Sequence, residues 1–328
     1  MKGLTIMKLC VLANLYGDKT LAETLDRLAG LGVEAAEIGC GGYPGKAQCD
    51  PAVLLADEKA LEAFKAEFTR TGVELAAFAC HGNPVHPDAA EAKRYHDDFV
   101  NAVLLAEKCG VDTIITFSGC PGGAPGDKMP NWATCAWPEE YLQVLDYQWN
   151  EVLIPYWKET VKFAREHGVT RIALEMHPGF CVYNPETLMK LRAAVGPEIG
   201  ANFDPSHLVW QGIDPVKAIR YLGDAIYHFH AKDVKIDPIN SPVIGNLDTK
   251  HYGDEIGRAW VFRAVGYGHG EGYWRDIASN LRLVGYDRVM SIEHEDSLMS
   301  IDEGLEKAVA LLKPIIISDP KPTSMAWA

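Results

Sequence analysis

Short apolar runs rich in β-branched residues alternate along the chain with longer stretches whose apolar positions recur at helical spacing. Eight runs fall at 5–11, 35–40, 74–80, 112–117, 171–176, 200–204, 225–231 and 288–293, each apolar enough to be covered on both faces, as parallel strands are. The intervening spacing predicts helices over 21–31, 58–71, 89–109, 139–167, 185–194, 214–222, 274–284 and 301–316. Gly72, Gly110, Gly168 and Gly285 each stand between a helical stretch and the next run, where a helix ends most easily on a left-handed residue. Eight β/α units in succession predict an α/β protein built as a closed (β/α)8 TIM barrel. The alternative, an open doubly wound sheet, receives no support from the first turn, where Ala13 to Gly17 contain no G-x-G-x-x-G pattern.

A barrel of this kind needs roughly 250 residues, so the 328 present must include long loops and a tail. One loop spans 118–137, with Gly119, Pro121, Gly122, Gly123, Pro125, Gly126 and Pro130; the other spans 235–273. Both follow strands (the fourth and the seventh) and are therefore expected on the C-terminal face, as lids or as ordered packing against a partner subunit. Residues 1–328 read as a single barrel domain. The tail from about residue 318 is Pro-rich and ends in Met325, Ala326, Trp327 and Ala328, and is expected either to dock on a neighbouring subunit or to be disordered.

Composition narrows the partners. With 31 basic against 45 acidic residues, a formal net charge of −14, the surface repels nucleic acid and anionic membrane. Ordinary fractions, 48% hydrophobic and 23% charged, exclude a disordered chain. The eight cysteines are scattered and form no C-x-x-C pair, which points to reduced thiols and a cytoplasmic location. The apolar stretch from Leu9 to Leu15 is interrupted by Asn14 and stopped by Gly17-Asp18, too soon for a signal peptide or membrane span.

Polar residues become unusual at the ends of the last four runs. Glu175 and His177 share parity, as do Asn202 and Asp204, then His228, His230 and Lys232, then Ser291, Glu293 and Glu295; His207 lies just past the sixth run. Carboxylates and imidazoles gathered at one mouth repel or lose hydration unless a cation joins them. One ligand per strand gives Glu175, Asp204, His230 and Glu293. That oxygen-rich set suits one divalent metal ion, Mn2+ foremost, with Mg2+, Co2+ or Zn2+ as alternatives. Singly, such residues are more often ion-pair partners or core histidines; the four together make the case. A metal that chelates a carbonyl and its neighbouring hydroxyl favours loss of the adjacent C–H proton to a carboxylate.

The segments A-L-E-M-H (173–177), N-F-D-P-S-H (202–207), H-F-H-A-K-D (228–233), G-x-G-x-G (266–270) and S-I-E-H-E (291–295) resemble, in this order, the xylose isomerase-like TIM-barrel superfamily. Within it the likeness is to the sugar phosphate isomerase/epimerase family, which includes ketose 3-epimerases, hydroxypyruvate isomerase and inosose-processing enzymes. The resemblance implies a metal held by Glu175, Asp204, His230 and Glu293, with Glu175 and Glu293 as the catalytic acid/base pair. It also implies that His207 touches a substrate oxygen. His177, His81 and Lys232 are read with it as substrate-binding residues, and His228 either supports the ligands or packs in the core.

The implied activity is isomerisation or epimerisation of a sugar or sugar derivative, in a homo-oligomer with room for a small partner subunit. Two departures stand out. Ketose 3-epimerases carry a glutamate and an arginine where Cys181 and Ile236 stand here, which argues against simple free ketoses. The alternative is β-elimination from a 3-oxo-glycoside, as in the large subunits of C-glycoside deglycosidases, with His81 or His86 as an added acid; loop hydrogen bonding is the favoured reading of these two histidines. A metal-dependent abasic-site endonuclease is a remoter alternative, disfavoured by the negative charge. Trp132, Trp137, Trp149, Trp157 and Trp260 offer either an aromatic wall for substrate or core and subunit packing.

Overall fold

The computed structural model describes residues 7–319. Strands β1 (Lys8–Leu12), β2 (Ala35–Gly39), β3 (Glu74–Ala79), β4 (Thr113–Thr116), β5 (Arg171–Glu175), β6 (Ile199–Phe203), β7 (Ile226–Ala231) and β10 (Val289–Ile292) are parallel and close into one barrel, β10 sealing the gap between β1 and β7. Each expected run coincides with one of them to within a few residues; Thr5 and Ile6 of the first run, and residues 320–328 of the tail, lie outside the described residues.

Helices α1 (Leu21–Leu31), α2 (Pro51–Ala56), α3 (Glu58–Thr71), α4 (Ala89–Cys109), α5 (Glu140–Asp146), α6 (Ile154–Glu166), α7 (Pro185–Val195), α8 (Pro205–Trp210), α9 (Pro215–Leu222), α10 (Ser241–Ile244), α11 (Glu271–Leu283) and α12 (Ile301–Leu312) complete the chain. Local chemistry sets their ends. Thr20 and Glu23 form a reciprocal capping box on α1, Asp57 and Asp88 cap α3 and α4, and Gly32, Gly72 and Gly110 close the first three long helices in the left-handed conformation. The apolar core lies mainly between strands and helices, with Trp157 and Trp274 fully buried; small residues such as Ala77, Ala79 and Ala173 fill the barrel interior.

Two regions differ from expectation. The helix expected over 139–167 is continuous in path but contains a π-helical segment, Tyr147–Leu153, between α5 and α6. Pro155 follows at once and has no N–H to continue an α ladder. The wider turn carries Gln148 and Trp149 inward, and Gln148 Nε2 donates to the carbonyls of Pro121, Gly122 and Asn131, which ties the loop after β4 to this helix.

The segment after β7 is no plain loop. It holds an antiparallel hairpin, β8 (Asp233–Ile236) with β9 (Trp260–Arg263), and the short α10. Trp260 stacks on Trp210 of α8 at 4.8 Å, so the hairpin rests on the barrel through a small apolar cluster of its own.

Candidate metal centre

Glu175 ends β5, Asp204 follows β6, His230 lies in β7 and Glu293 follows β10, on four strands adjacent in the barrel. Registers Glu175↔Asn202, Asn202↔His228 and Ser291↔His230 bring these strand ends level. One ligand atom from each of the four falls within 4.8 Å of the others. His230 Nδ1 lies 2.9 Å from Glu293 Oε2 and 3.3 Å from Glu175 Oε2. Asp204 is aimed by its own sequence: in D-P-S-H it caps α8, Oδ1 accepting from the Ser206 N–H at 2.8 Å with Pro205 as first helical residue. Its Oδ2 is buried and has no hydrogen-bond partner.

Around this group the cations and imidazoles are unevenly matched to the carboxylates. Lys232 Nζ lies 3.2 Å from Glu293, 2.9 Å from Glu295 and 3.4 Å from Asp204, and it also sits over the Phe262 ring. Burial opposes the charge on Glu293, but Lys232 and His230 outweigh it and hold the carboxyl at about 2. Glu175 likewise stays well below the ordinary range against its burial, through His207, His230 and His81. Asp204 goes the other way: burial, reinforced by Glu175 and Glu293, overcomes Lys232 and pushes it up to about 7. His207 is driven down to about 3 by burial and by its neighbours His177 and Lys232. His230 and Lys232 stay well above their usual values, because the surrounding carboxylates overcome burial. Three carboxylates, one of them with a buried oxygen that no hydrogen bond satisfies, and one imidazole fit a divalent cation in donor type.

The sequence reading missed a residue that the structure puts at the centre of the barrel. Glu37 of β2 is fully buried and accepts from His228 Nε2 at 2.8 Å, His230 Nε2 at 3.0 Å and Ser291 Oγ at 2.8 Å. Burial would raise its carboxyl, yet the two histidines hold it far below the ordinary range. The available signal was a lone glutamate in an otherwise apolar run, Ala35-Ala36-Glu37-Ile38. Asn202 belongs here too: its Nδ2 donates to Glu175 Oε2 at 3.0 Å and lies 3.1 Å from His230 Nδ1.

The expected substrate-binding residues separate. His207, on α8, lies 3.2 Å from Glu175 Oε1 and 3.4 Å from Asp204 Oδ2, and neither of its ring nitrogens has a hydrogen-bond partner. His177 stands beside it with ring centroids 4.0 Å apart, its Nδ1 bonded to the Pro178 carbonyl. His228 turns to Glu37 and supports the ligands from beneath. Of the two loop histidines, His86 Nδ1 accepts from the Asp88 N–H, as a loop hydrogen-bonder does. His81 departs from that favoured reading: its Nε2 lies 3.1 Å from Glu175 Oε2. Its backbone is set by a close crossing in which Tyr43 N–H donates to the His81 carbonyl; Gly42 there has φ +61°, and a Cβ would meet that carbonyl oxygen at 1.8 Å.

The tryptophans do not wall the mouth. Trp149, Trp157 and Trp260 are buried in packing, Trp132 donates to the Phe180 carbonyl, and Trp137 is exposed. Phenylalanines stand at the mouth instead: Phe117 packs on His81 and stacks on Phe180 at 4.2 Å, and Phe262 meets the edge of His207. Cys181 is buried and lines a separate cavity of about 420 Å³ with Trp132, Trp149, Tyr183 and Lys190. The G-x-G-x-G segment is held by Asp233, whose Oδ2 accepts from the N–H groups of Gly266, Gly268 and His269.

A closed parallel barrel with a group able to hold a metal ion at the C-terminal ends of four adjacent strands defines a class of TIM barrels. The chain belongs to the xylose isomerase-like TIM barrel family, whose model matches residues 25–315. It is similar to the "Uncharacterized protein YfiH" of Bacillus subtilis (strain 168), 40% identical over 313 residues that cover 94% of this chain and 99% of that protein. Among solved structures, the probable 3-DHS dehydratase AsbF of Bacillus anthracis superposes with a TM-score of 0.64 at 15% identity, over 94% of this chain and 99% of that one. A D-tagatose 3-epimerase-like protein does so with a TM-score of 0.63 at 20% identity, over 94% and 97%. Both likenesses show the fold. Among the described residues no helix is long and apolar enough to cross a membrane.

Proposed function

We propose that the chain is a divalent-metal-dependent isomerase or epimerase of a sugar or sugar derivative, working by proton transfer at the carbon beside a carbonyl. The observation that carries this reading is the convergence of Glu175, Asp204, His230 and Glu293 within 4.8 Å. A bound divalent ion, Mn2+ foremost and Mg2+, Co2+ or Zn2+ otherwise, would supply Lewis-acid stabilisation of the developing oxyanion.

The chain's own residues do the rest. Glu175 and Glu293, ionised by their neighbours, are the acid/base pair: one removes the proton, and its return to the other face of the same carbon epimerises, whereas return to the next carbon isomerises. His207, close to Glu175 and Asp204, offers its ring to a substrate oxygen, with His177 and Lys232 beside it. Phe117, Phe180 and Phe262 limit water at the mouth.

A second reading is β-elimination from a 3-oxo-glycoside, and it rests on His81. This buried imidazole, 3.1 Å from Glu175, would be the acid that gives a proton to the leaving group. The neighbour described as a probable dehydratase supports elimination on this fold. A homo-oligomer, with room for a small partner subunit, fits the exposed Ile239, Val243, Leu247 and Ile256 of the inserted segment, and eight free cysteines fit the cytoplasm.

The test is proton exchange followed by NMR in D2O with Mg2+ as the ion, offering ketoses, inososes and 3-oxo-glycosides. Wild-type protein is expected to wash out one substrate C–H, and Glu175→Gln and Glu293→Gln to lose that exchange while keeping the fold. Normal exchange in both variants would sink the assignment; loss of the C1 substituent instead of exchange selects elimination.

A further inference from the structure

Glu37 is a fully buried acid that the proposed chemistry leaves without a part. It lies on β2, across the barrel from the strands that supply the ligands, and its Oε2 gathers three donors: His228 Nε2, His230 Nε2 and Ser291 Oγ. Its Oε1 is 3.1 Å from the same His230 nitrogen. A carboxylate can only accept, so His230 Nε2 must carry a proton. The nitrogen left over is Nδ1, and this is the one that faces Glu175 Oε2 and Glu293 Oε2.

We propose that Glu37 is a positioning residue for the metal centre, holding His230 with Nε2–H turned to β2 so that bare Nδ1 enters the ligand set. The inference rests on the metal-dependent reading above and deepens it. Two effects follow from one contact. The ring is fixed in rotation, because both its edges are spoken for; and a carboxylate behind the imidazole makes the opposite nitrogen a stronger donor. His228 Nε2 and Ser291 Oγ meet the same carboxylate at 2.8 Å each, and Asn202 Nδ2 donates to Glu175 on the ligand side.

A glutamine at this position would offer an amide of nearly the same shape. Its carbonyl oxygen can still accept from Nε2–H but carries no charge to strengthen Nδ1 as a donor, and its NH2 group can meet Nε2 only if that proton moves to Nδ1, into the cation's place.

The test uses the full chain, stripped of metal and titrated with Mn2+ by calorimetry, together with NMR of cadmium-loaded protein carrying nitrogen-labelled histidine. In wild type, cadmium–nitrogen coupling is expected at Nδ1 of His230, with Nε2 still protonated. Glu37→Gln is expected to bind Mn2+ about 10–100-fold more weakly, the usual effect of removing the partner of a metal-bound histidine. Ser291→Ala, which takes one donor from Glu37 but leaves His230 facing it, is expected to bind as wild type does. Coupling at Nε2 in wild type, undiminished binding in Glu37→Gln, or equal weakening in both variants would overturn the proposal. If Glu37→Gln does not fold, the wild-type coupling decides alone. Wild-type protein that binds no divalent cation at all would instead overturn the metal-dependent reading itself.

Discussion

Replacing Asp204 by asparagine should make the metal-free protein more stable, not less. Burial, with Glu175 and Glu293 close by, lifts this carboxyl from 3.8 to about 7 in the folded chain. The unfolded chain therefore releases the proton first as pH rises. The penalty on the folded state is absent below about 3.8, grows with pH, and is complete above about 7. A displacement of about three units corresponds to on the order of 4 kcal/mol. For a chain of 328 residues, that is a rise in Tm of about 6 °C, taking roughly 2 cal/mol/K of unfolding entropy per residue.

Asparagine keeps the oxygen that caps α8, so the helix start is not the source of any change. The assay is thermal unfolding in chelator at about pH 8 and about pH 5, where the gain should shrink to about 1–2 kcal/mol. Saturating Mn2+, at about a hundred times its Kd, should raise the wild-type Tm by about 4 °C, equivalent to about 2.7 kcal/mol. It should do little for the variant, which has lost one carboxylate of the proposed metal site. A variant that melts at or below wild type in chelator at the higher pH would refute the electrostatic reasoning.

Other expectations are simpler. Gly268→Ala places a Cβ 2.3 Å from the Val234 carbonyl oxygen and 2.4 Å from Asp233 Oδ1; it should cost about 1–3 kcal/mol and speed limited proteolysis between β8 and β9. Trp157→Phe removes the Nε1–H donated to the Ser118 carbonyl at 2.9 Å inside the core, and should lower stability in urea by about 1–3 kcal/mol. In a thiol titration of native protein, exposed Cys135 should react first and Cys109 more slowly; the six buried cysteines should react only on unfolding.

The barrel was legible because its strands are covered on both faces and its helices are punctuated. The run expected at 171–176 is β5, Arg171–Glu175, and the glycines at 72, 110 and 168 stand where the expected helices stop. The convergence of Glu175, Asp204, His230 and Glu293 was legible through parity, since a strand two residues from its end already decides which face a side chain takes. What escaped depends on distant partners. Trp260–Arg263 is a strand because β8 lies beside it, and β8 is the continuation of a run already assigned to the barrel. The π-helical turn at 147–153 keeps the apolar spacing of an ordinary helix, so periodicity does not reveal it. Glu37 looked like one charge in an apolar run; its donors lie far along the chain and acquire meaning only in three dimensions.

That separation bears on how the chain can fold. The side chains that bond Glu37 come from β7 and β10, at sequence distances of 191, 193 and 254 residues. A nascent chain or fragment ending before β7 contains the second strand but none of the groups that make its carboxylate tolerable indoors, a deficit of several kcal/mol for an unpaired buried ion. The first half of the barrel therefore has a built-in reason not to settle as a separate unit. Its innermost acid must wait for the last strands to arrive, so closure of the sheet and neutralisation of its centre are a single event.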